Sequence, residues 1–257
     1  NIKELDIEKA EKEAEEWADA KEEELNAYKK DENYRREFLG NVSHELKTPI
    51  FNIQGYVQTL LDGGVEDKDI NYKYLERANK SVDRMINIVE DLEVISRLET
   101  EQSVLDIQKF NIVDLVKEVF ELMEMKASKM KIKFELINES QTNFVKGDKD
   151  KIQQVFVNLI SNSIKYGKKG GKTIVRFFDM NSNMLIEVAD NGIGIKKSSL
   201  DRLFERFYRV DKNRSREIGG TGLGLPIVKH ILEGHNQQIN VRSTINVGST
   251  FSFILEK

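Results

Sequence analysis

Residues Tyr34 to Leu61, YRREFLGNVSHELKTPIFNIQGYVQTLL, carry the reading on which the fold turns. Apolar side chains recur at Phe38, Leu39, Val42, Leu46, Ile50, Ile53, Val57, Leu60 and Leu61, the i, i+3, i+4, i+7 spacing of a helix with one buried face. Asp62-Gly63-Gly64 breaks the pattern. It resumes from Ile70 through Leu75, Ala78, Val82, Met85, Ile86, Val89, Leu92, Ile95 and Leu98. Two long helices joined by a short loop form an antiparallel hairpin. Two helices alone do not close a core, so the spacing predicts two hairpins packed as a dimeric four-helix bundle, and hence a homodimer.

Outward from the hairpin the texture differs on each side. Residues 1–33 are rich in Glu, Lys and Ala and lack Gly and Pro, with Ile2, Leu5, Trp17, Leu25 and Tyr28 as sparse apolar points. They read as an amino-terminal signalling helix or coiled-coil entry with no assignable heptad register. The hairpin domain is expected over 34–100 and a third domain over 101–257. In that third region, strands are expected at Ser103–Lys109, Lys131–Ile137, Phe144–Lys146, Thr173–Asp179, Met184–Ala189, Gln238–Ser243 and Ser249–Leu255. Helices are expected at Ile112–Ser128, Asp150–Tyr166 and Gly222–Glu233. The fold class is therefore α+β, a helical hairpin followed by a mixed sheet with helices on one face.

Composition narrows the chemistry. The 257 residues contain no Cys and three His, which excludes a disulfide framework, a thiolate nucleophile and a Cys-based zinc site. Charged residues make up 33% of the chain and its two Pro fall far below the usual share of about 5%, fitting long helices. A net charge of −4 argues against generic nucleic-acid binding. No run approaches the roughly 20 apolar residues of a membrane span, and a chain opening on Asn1 is expected to be an internal piece of a longer one.

Two constellations carry chemistry. In the first, His44 sits on the outward side of its helix with Lys47 and Thr48, next to Glu45. A neutral imidazole is a nucleophile, and a neighbouring carboxylate can hold one ring N–H while the other nitrogen attacks. Pro49 removes the helical amide bond back to residue 45, at a cost of about 3 kcal/mol, which reads as a hinge beside the imidazole. In the second, Asp190-Asn-Gly-Ile-Gly-Ile closes a strand, and Gly219-Gly-Thr-Gly-Leu-Gly-Leu opens a helix. The glycines, among them Gly192, Gly194, Gly220, Gly222 and Gly224 with Thr221 and Leu223 between, let backbone amides approach phosphate oxygens at a helix N-terminus. Asp190 suits an exocyclic amine such as that of adenine. Asn158 and Asn162, at i and i+4, with Lys165 beyond, form a polar stripe whose amide oxygens suit Mg²⁺. Between the Gly loops, Phe204–Val210 and then Asp211 to Ile218, with Arg209, Arg214 and Arg216, form a charged stretch that reads as a lid or as a disordered surface loop.

The order of these motifs resembles the cytoplasmic catalytic core of two-component sensor histidine kinases of the phosphate-sensor-like class. Asn41–Ile50 resembles the family's H box, Asp150–Tyr166 its N box, Asp190–Ile195 its G1 box, Phe204–Val210 its F box and Gly219–Leu225 its G2 box. The resemblance implies a dimerisation and phosphoacceptor hairpin followed by an ATP-binding α/β sandwich. It implies transfer of the ATP γ-phosphoryl group to His44 and onward to an Asp of a response regulator, with Glu45 activating the His and Thr48 orienting water for regulator dephosphorylation. It further implies Asn158 as Mg²⁺ ligand, Asn162, Lys165 and Arg209 as nucleotide and phosphate contacts, Tyr166 against the adenine and Asp190 on its amine. The regulator is expected along Phe51, Asn52, Gly55, Tyr56 and Thr59, with core packing the alternative for Phe51 and Tyr56. The implied setting is the cytoplasmic portion of a bacterial inner-membrane sensor, anchored only by segments outside this chain. Two positions depart from the pattern: Asn236-Gln237 follows His235 where Gly-Gly is usual, and Pro226 stands where a small residue is usual. A related-fold ATPase, which would carry Glu at position 158, and a catalytically silent dimeric scaffold are the alternatives.

Overall fold

The computed structural model describes residues 2–100, 105–211 and 220–257. The expected lid from Asp211 to Ile218, Gly219 of the second Gly loop and the start of the strand expected at Ser103 lie, Asp211 apart, outside the described residues. The chain divides into two compact units, Asn1–Ser81 and Val82–Lys257.

In the first unit α1 runs unbroken over Ile2–Thr59, through Pro49. The entry helix and the first hairpin helix are thus one element, because no breaker separates them. The chain leaves α1 through a wide turn at Leu60–Gly64, where Gly63 takes φ 107, and enters α2, Asn71–Thr100. Leu60 and Gly64 are buried in the turn, and the Asn71 side-chain amide donates to the Val65 carbonyl at 3.1 Å. The hairpin closes where Tyr56 meets Tyr74 edge-on, ring centroids 5.5 Å apart.

The second unit takes in α2 from Val82 onward and the mixed region after it. Here β1, Ile107–Asn111, pairs antiparallel with β3, Phe144–Asp148. A five-stranded sheet has the order β2-β4-β5-β7-β6, from β2 Lys133–Glu139, β4 Lys172–Met180, β5 Asn183–Asp190, β6 Asn240–Thr244 and β7 Gly248–Glu256. Only the β2–β4 pair in it is parallel; the others are antiparallel. The strands pair through residues whose alternation buries one face: Val175 opposite Val188, and Val188 opposite Phe251, each 6% exposed or less. Against that core lie α3 Ile112–Met130, α4 Lys149–Lys165 and α5 Gly224–Gly234. Phe156 of α4 meets Phe253 of β7 at 5.8 Å.

Caps set the helix starts. Asn111 Oδ1 accepts from the N–H groups of Val113 and Asp114, and Asp148 Oδ1 from that of Lys151. α3 ends on Lys131 in the left-handed region, φ 54. Observed strands sit within a few residues of their expected places, β1, β2 and β6 beginning later than expected. The expected helix at Gly222 begins at Gly224, because Gly222 takes φ 80.

Candidate nucleotide and phosphoacceptor sites

In the first unit His44 is exposed and Glu45 half-buried. Thr48 donates its hydroxyl to the His44 carbonyl at 3.2 Å, so the two residues are tied one helical turn apart. Pro49 is buried, which fixes the position of the missing amide. Along the same helix Phe51 is 64% exposed and Asn52 and Gly55 are open. Tyr56 instead packs on Tyr74, and Thr59 donates to the Gly55 carbonyl. Core packing therefore accounts for Tyr56 but not for Phe51.

In the second unit α4 carries its apolar side, Ile152, Val155, Phe156, Leu159 and Ile160, into the core, and this leaves Asn158, Asn162, Lys165 and Tyr166 half-buried on another side. A methyl group added at Gly224 would lie 2.9 Å from Asn158 Oδ1, so the amide abuts the first residue of α5. No side chain caps the N-terminus of α5, which follows Leu223; its first amides are the donors a phosphate uses. Asn162 accepts the Tyr166 N–H through its carbonyl at 2.9 Å.

The strand-end loop folds back on α4. Ile193 N–H donates to the Tyr166 carbonyl at 3.1 Å, and Asp190 Oδ1 accepts from Gly192 N–H at 2.7 Å. Gly194 takes φ 68, and a Cβ there would fall 2.0 Å from the Thr244 carbonyl oxygen, so only glycine permits this passage. Burial pushes the Asp190 carboxyl up from its ordinary value, against the lowering effect of the Gly192 and Ser249 amides. A group so desolvated gains from a donor such as an aromatic amine.

The second Gly loop is locked to the Phe204–Val210 stretch through its backbone. Phe207, at φ 60, donates its N–H to the Gly222 carbonyl at 2.9 Å, and Arg209 Nη2 donates to the Thr221 carbonyl at 2.9 Å. Strain of this kind persists where the surroundings over-determine it. The Thr221 hydroxyl accepts the Leu223 N–H at 3.2 Å and donates to Asp91 Oδ2 at 2.6 Å. Gly220 is half-exposed. Burial lowers the Lys165 ammonium's pKa, with the Asp91 charge opposing the shift.

The fold thus sets Asn158 against Gly224, the loop after Asp190 against Tyr166, and Arg209 against Thr221. Asp91 and His235 were not anticipated. Asp91 lies far from Thr221 along the chain and on a helix whose apolar stripe drew the reading elsewhere. In the sequence His235 stands out only through the Asn236-Gln237 turn that follows it.

Comparisons with known proteins agree with this picture. Residues 34–101 match the family described as His Kinase A (phospho-acceptor) domain. Residues 147–257 match the family described as histidine kinase-, DNA gyrase B-, and HSP90-like ATPase. Drug sensory protein A of Synechocystis is 37% identical over 232 residues, covering 86% of this chain and 35% of that protein. Sensor protein kinase WalK of Staphylococcus epidermidis is 39% identical over 228 residues, covering 87% and 37%. The chain therefore spans about a third of the length of these relatives. The crystal structure of histidine kinase ThkA in complex with response regulator protein TrrA matches with a TM-score of 0.71 at 26% identity, over 86% of this chain and 61% of that one.

Proposed function

Because the chain belongs to the sensor histidine kinases of two-component systems, we propose that it binds ATP in the second unit, phosphorylates its own His44 and passes the phosphoryl group to a response regulator Asp. The observation that carries the reading is the convergence of Asn158 on α4 with Gly224 at the uncapped start of α5. It places an amide oxygen and helix-end donors together, as a magnesium triphosphate requires.

The resemblance to the family assigns the roles, and the chemistry of each group suits them. Asp190 takes the adenine amine, Tyr166 lies against the ring, and Asn162, Lys165 and Arg209 with the amides of Gly192, Gly194, Gly220, Gly222, Leu223 and Gly224 meet the sugar and phosphates, beside Thr221. Asn158 is the Mg²⁺ ligand. Among the described residues no group of three His, Cys, Asp or Glu side chains is placed to hold a metal, and a lone amide oxygen fits Mg²⁺, which keeps most of its waters. That ion supplies charge neutralisation along the phosphates.

In the transfer, a ring nitrogen of His44 attacks the γ phosphorus while the bond from phosphorus to the bridging oxygen breaks. ADP leaves with that electron pair, and the ring proton passes to the Glu45 carboxylate. Asn at 158 cannot activate water as a base, which disfavours a plain ATPase. Onward transfer takes the phosphoryl group to a regulator docked beside His44, where Phe51 is exposed; Thr48 then orients water for hydrolysis of the regulator's aspartyl phosphate to carboxylate and inorganic phosphate. Homodimerisation is supported by Leu39, Ile50, Val57, Leu61, Leu75 and Val82, which are 41% to 74% exposed in the single chain and large for a solvated surface. Among the described residues no helix is long and apolar enough to cross a membrane; we assign any membrane anchorage to segments outside this chain, with His44 on the cytoplasmic side.

The test is intact mass after incubation with Mg-ATP, in wild type and His44→Gln, with peptide mapping of the added phosphate. One phosphoryl group per chain at His44, absent from the variant, is expected. ATP consumed with no phosphate on the protein would overturn the kinase reading in favour of an ATPase.

A further inference from the structure

Asp91 occupies a place the proposed reaction does not explain. It lies in the part of α2 that folds with the second unit, yet its Oδ2 takes the Thr221 hydroxyl at 2.6 Å. That hydroxyl already accepts the Leu223 N–H, and a hydroxyl has one proton to give, so Thr221 has no donor left for a ligand. The charge of the same carboxylate acts on Lys165 against the lowering effect of burial on the lysine's pKa. Thr221 belongs to the second Gly loop and Lys165 to α4, the two elements assigned to the nucleotide phosphates.

A carboxylate on a hydroxyl donor and beside an ammonium repeats, with one negative charge, what a phosphate oxygen would do there. We propose that Asp91 is a built-in competitor of the nucleotide: it holds Thr221 and balances Lys165 while the site is empty, and is displaced when phosphate takes over both groups. This rests on the reading that ATP binds at these residues. Burial raises the Asp91 carboxyl's pKa, with Thr221 and Lys165 opposing, as fits a carboxylate held partly out of water for a purpose other than stability. Two consequences are linked. The apparent ATP affinity is the intrinsic one scaled by the fraction of molecules in which Asp91 has let go, and, reciprocally, ATP loosens this part of α2 from the Gly loop.

The experiment is a titration of the full chain with Mg-ATP, followed by autophosphorylation kinetics, for wild type, Asp91→Asn, Asp91→Ala and Asp91→Glu. Asp91→Asn keeps the size and an acceptor for Thr221 but not the charge. Binding about tenfold tighter is expected for the Asn and Ala variants, the size of a lost charge-assisted hydrogen bond, with a fall in the KM for ATP rather than a rise in kcat. Asp91→Glu should stay close to wild type. Equal or weaker binding by folded Asn and Ala variants, checked by thermal melting, would overturn the competitor while leaving ATP binding intact. A wild type that binds no Mg-ATP would instead overturn the nucleotide reading on which it rests.

Discussion

His235 accepts the backbone N–H of Asp148 through Nε2 at 2.9 Å, and Nδ1 donates to the Ile231 carbonyl at 2.7 Å. The end of α5 is thereby fastened to the cap of α4. Asp148 in turn holds the first turn of α4 through Lys151, so this neutral imidazole ties together the starting point of one proposed nucleotide-binding helix and the end of the other. Replacing His235 by Ala leaves the Asp148 amide without its acceptor at a half-buried site. We expect a loss of about 1–3 kcal/mol, read as a lower urea midpoint for the second unit, with ATP binding weakened in proportion to the misplacement of α4.

Gly194→Ala brings a methyl into the Thr244 carbonyl at a backbone angle of φ 68. The angle alone costs about 1–2 kcal/mol, and the collision adds to it. Expected are a lower melting temperature and loss of ATP binding; retention of both would show that the loop relaxes without Thr244.

Asp190 makes stability depend on pH with a definite sign. Because its folded pKa is raised from 3.8 by burial, the folded chain keeps this proton where the unfolded chain has lost it. The group's contribution is therefore most favourable at low pH and declines as pH rises through the window from about 3.8 upward to the raised value. Asp190→Asn should gain on wild type in unfolding free energy across that window and hold the gain above it. A difference independent of pH would contradict the assignment.

Pro49→Ala restores an amide that can donate to the Glu45 carbonyl. The exchange should stabilise the helix by up to about 3 kcal/mol, read as a higher melting temperature. If the missing bond is a hinge, the ratio of autophosphorylation to regulator dephosphorylation shifts with it. Parallel assays of both activities decide the matter, and an unchanged ratio would confine Pro49 to a packing role.

Thr48→Val removes a hydroxyl that already serves the His44 carbonyl, so the helix should lose little. Regulator dephosphorylation is expected to fall by about 100-fold, the scale of a positioned proton-transfer group, while His44 phosphorylation persists.

Much of this fold was readable along the chain because its signals are local. The spacing from Phe38 to Leu98 marks two helices, and Asp62-Gly63-Gly64 marks the turn between them. The polar stripe of Asn158, Asn162 and Lys165 follows from the period of one helix. Less readable was whatever depends on distant partners. Nothing near Asp91 announces that α2 will present it to Thr221, and nothing near His235 announces Asp148. The sheet order β2-β4-β5-β7-β6 likewise follows from long-range packing rather than from propensity. The strand bounds shifted for the same reason: antiparallel pairing with β3 sets β1 at Ile107–Asn111, not local propensity. The continuity of α1 across Tyr34 was hidden because a change from charged to apolar composition is not a break in helix geometry.

The bond between Phe207 and Gly222 has a consequence for how such chains can vary. With these two backbone points joined, the residues between them form a closed ring whose ends no longer move with its contents. Lengthening such a ring is cheap, about 0.6 kcal/mol for each doubling. The pairing at these two points therefore holds Leu223 and the start of α5 at Gly224 in register with Phe207 whatever the length of chain between the anchors.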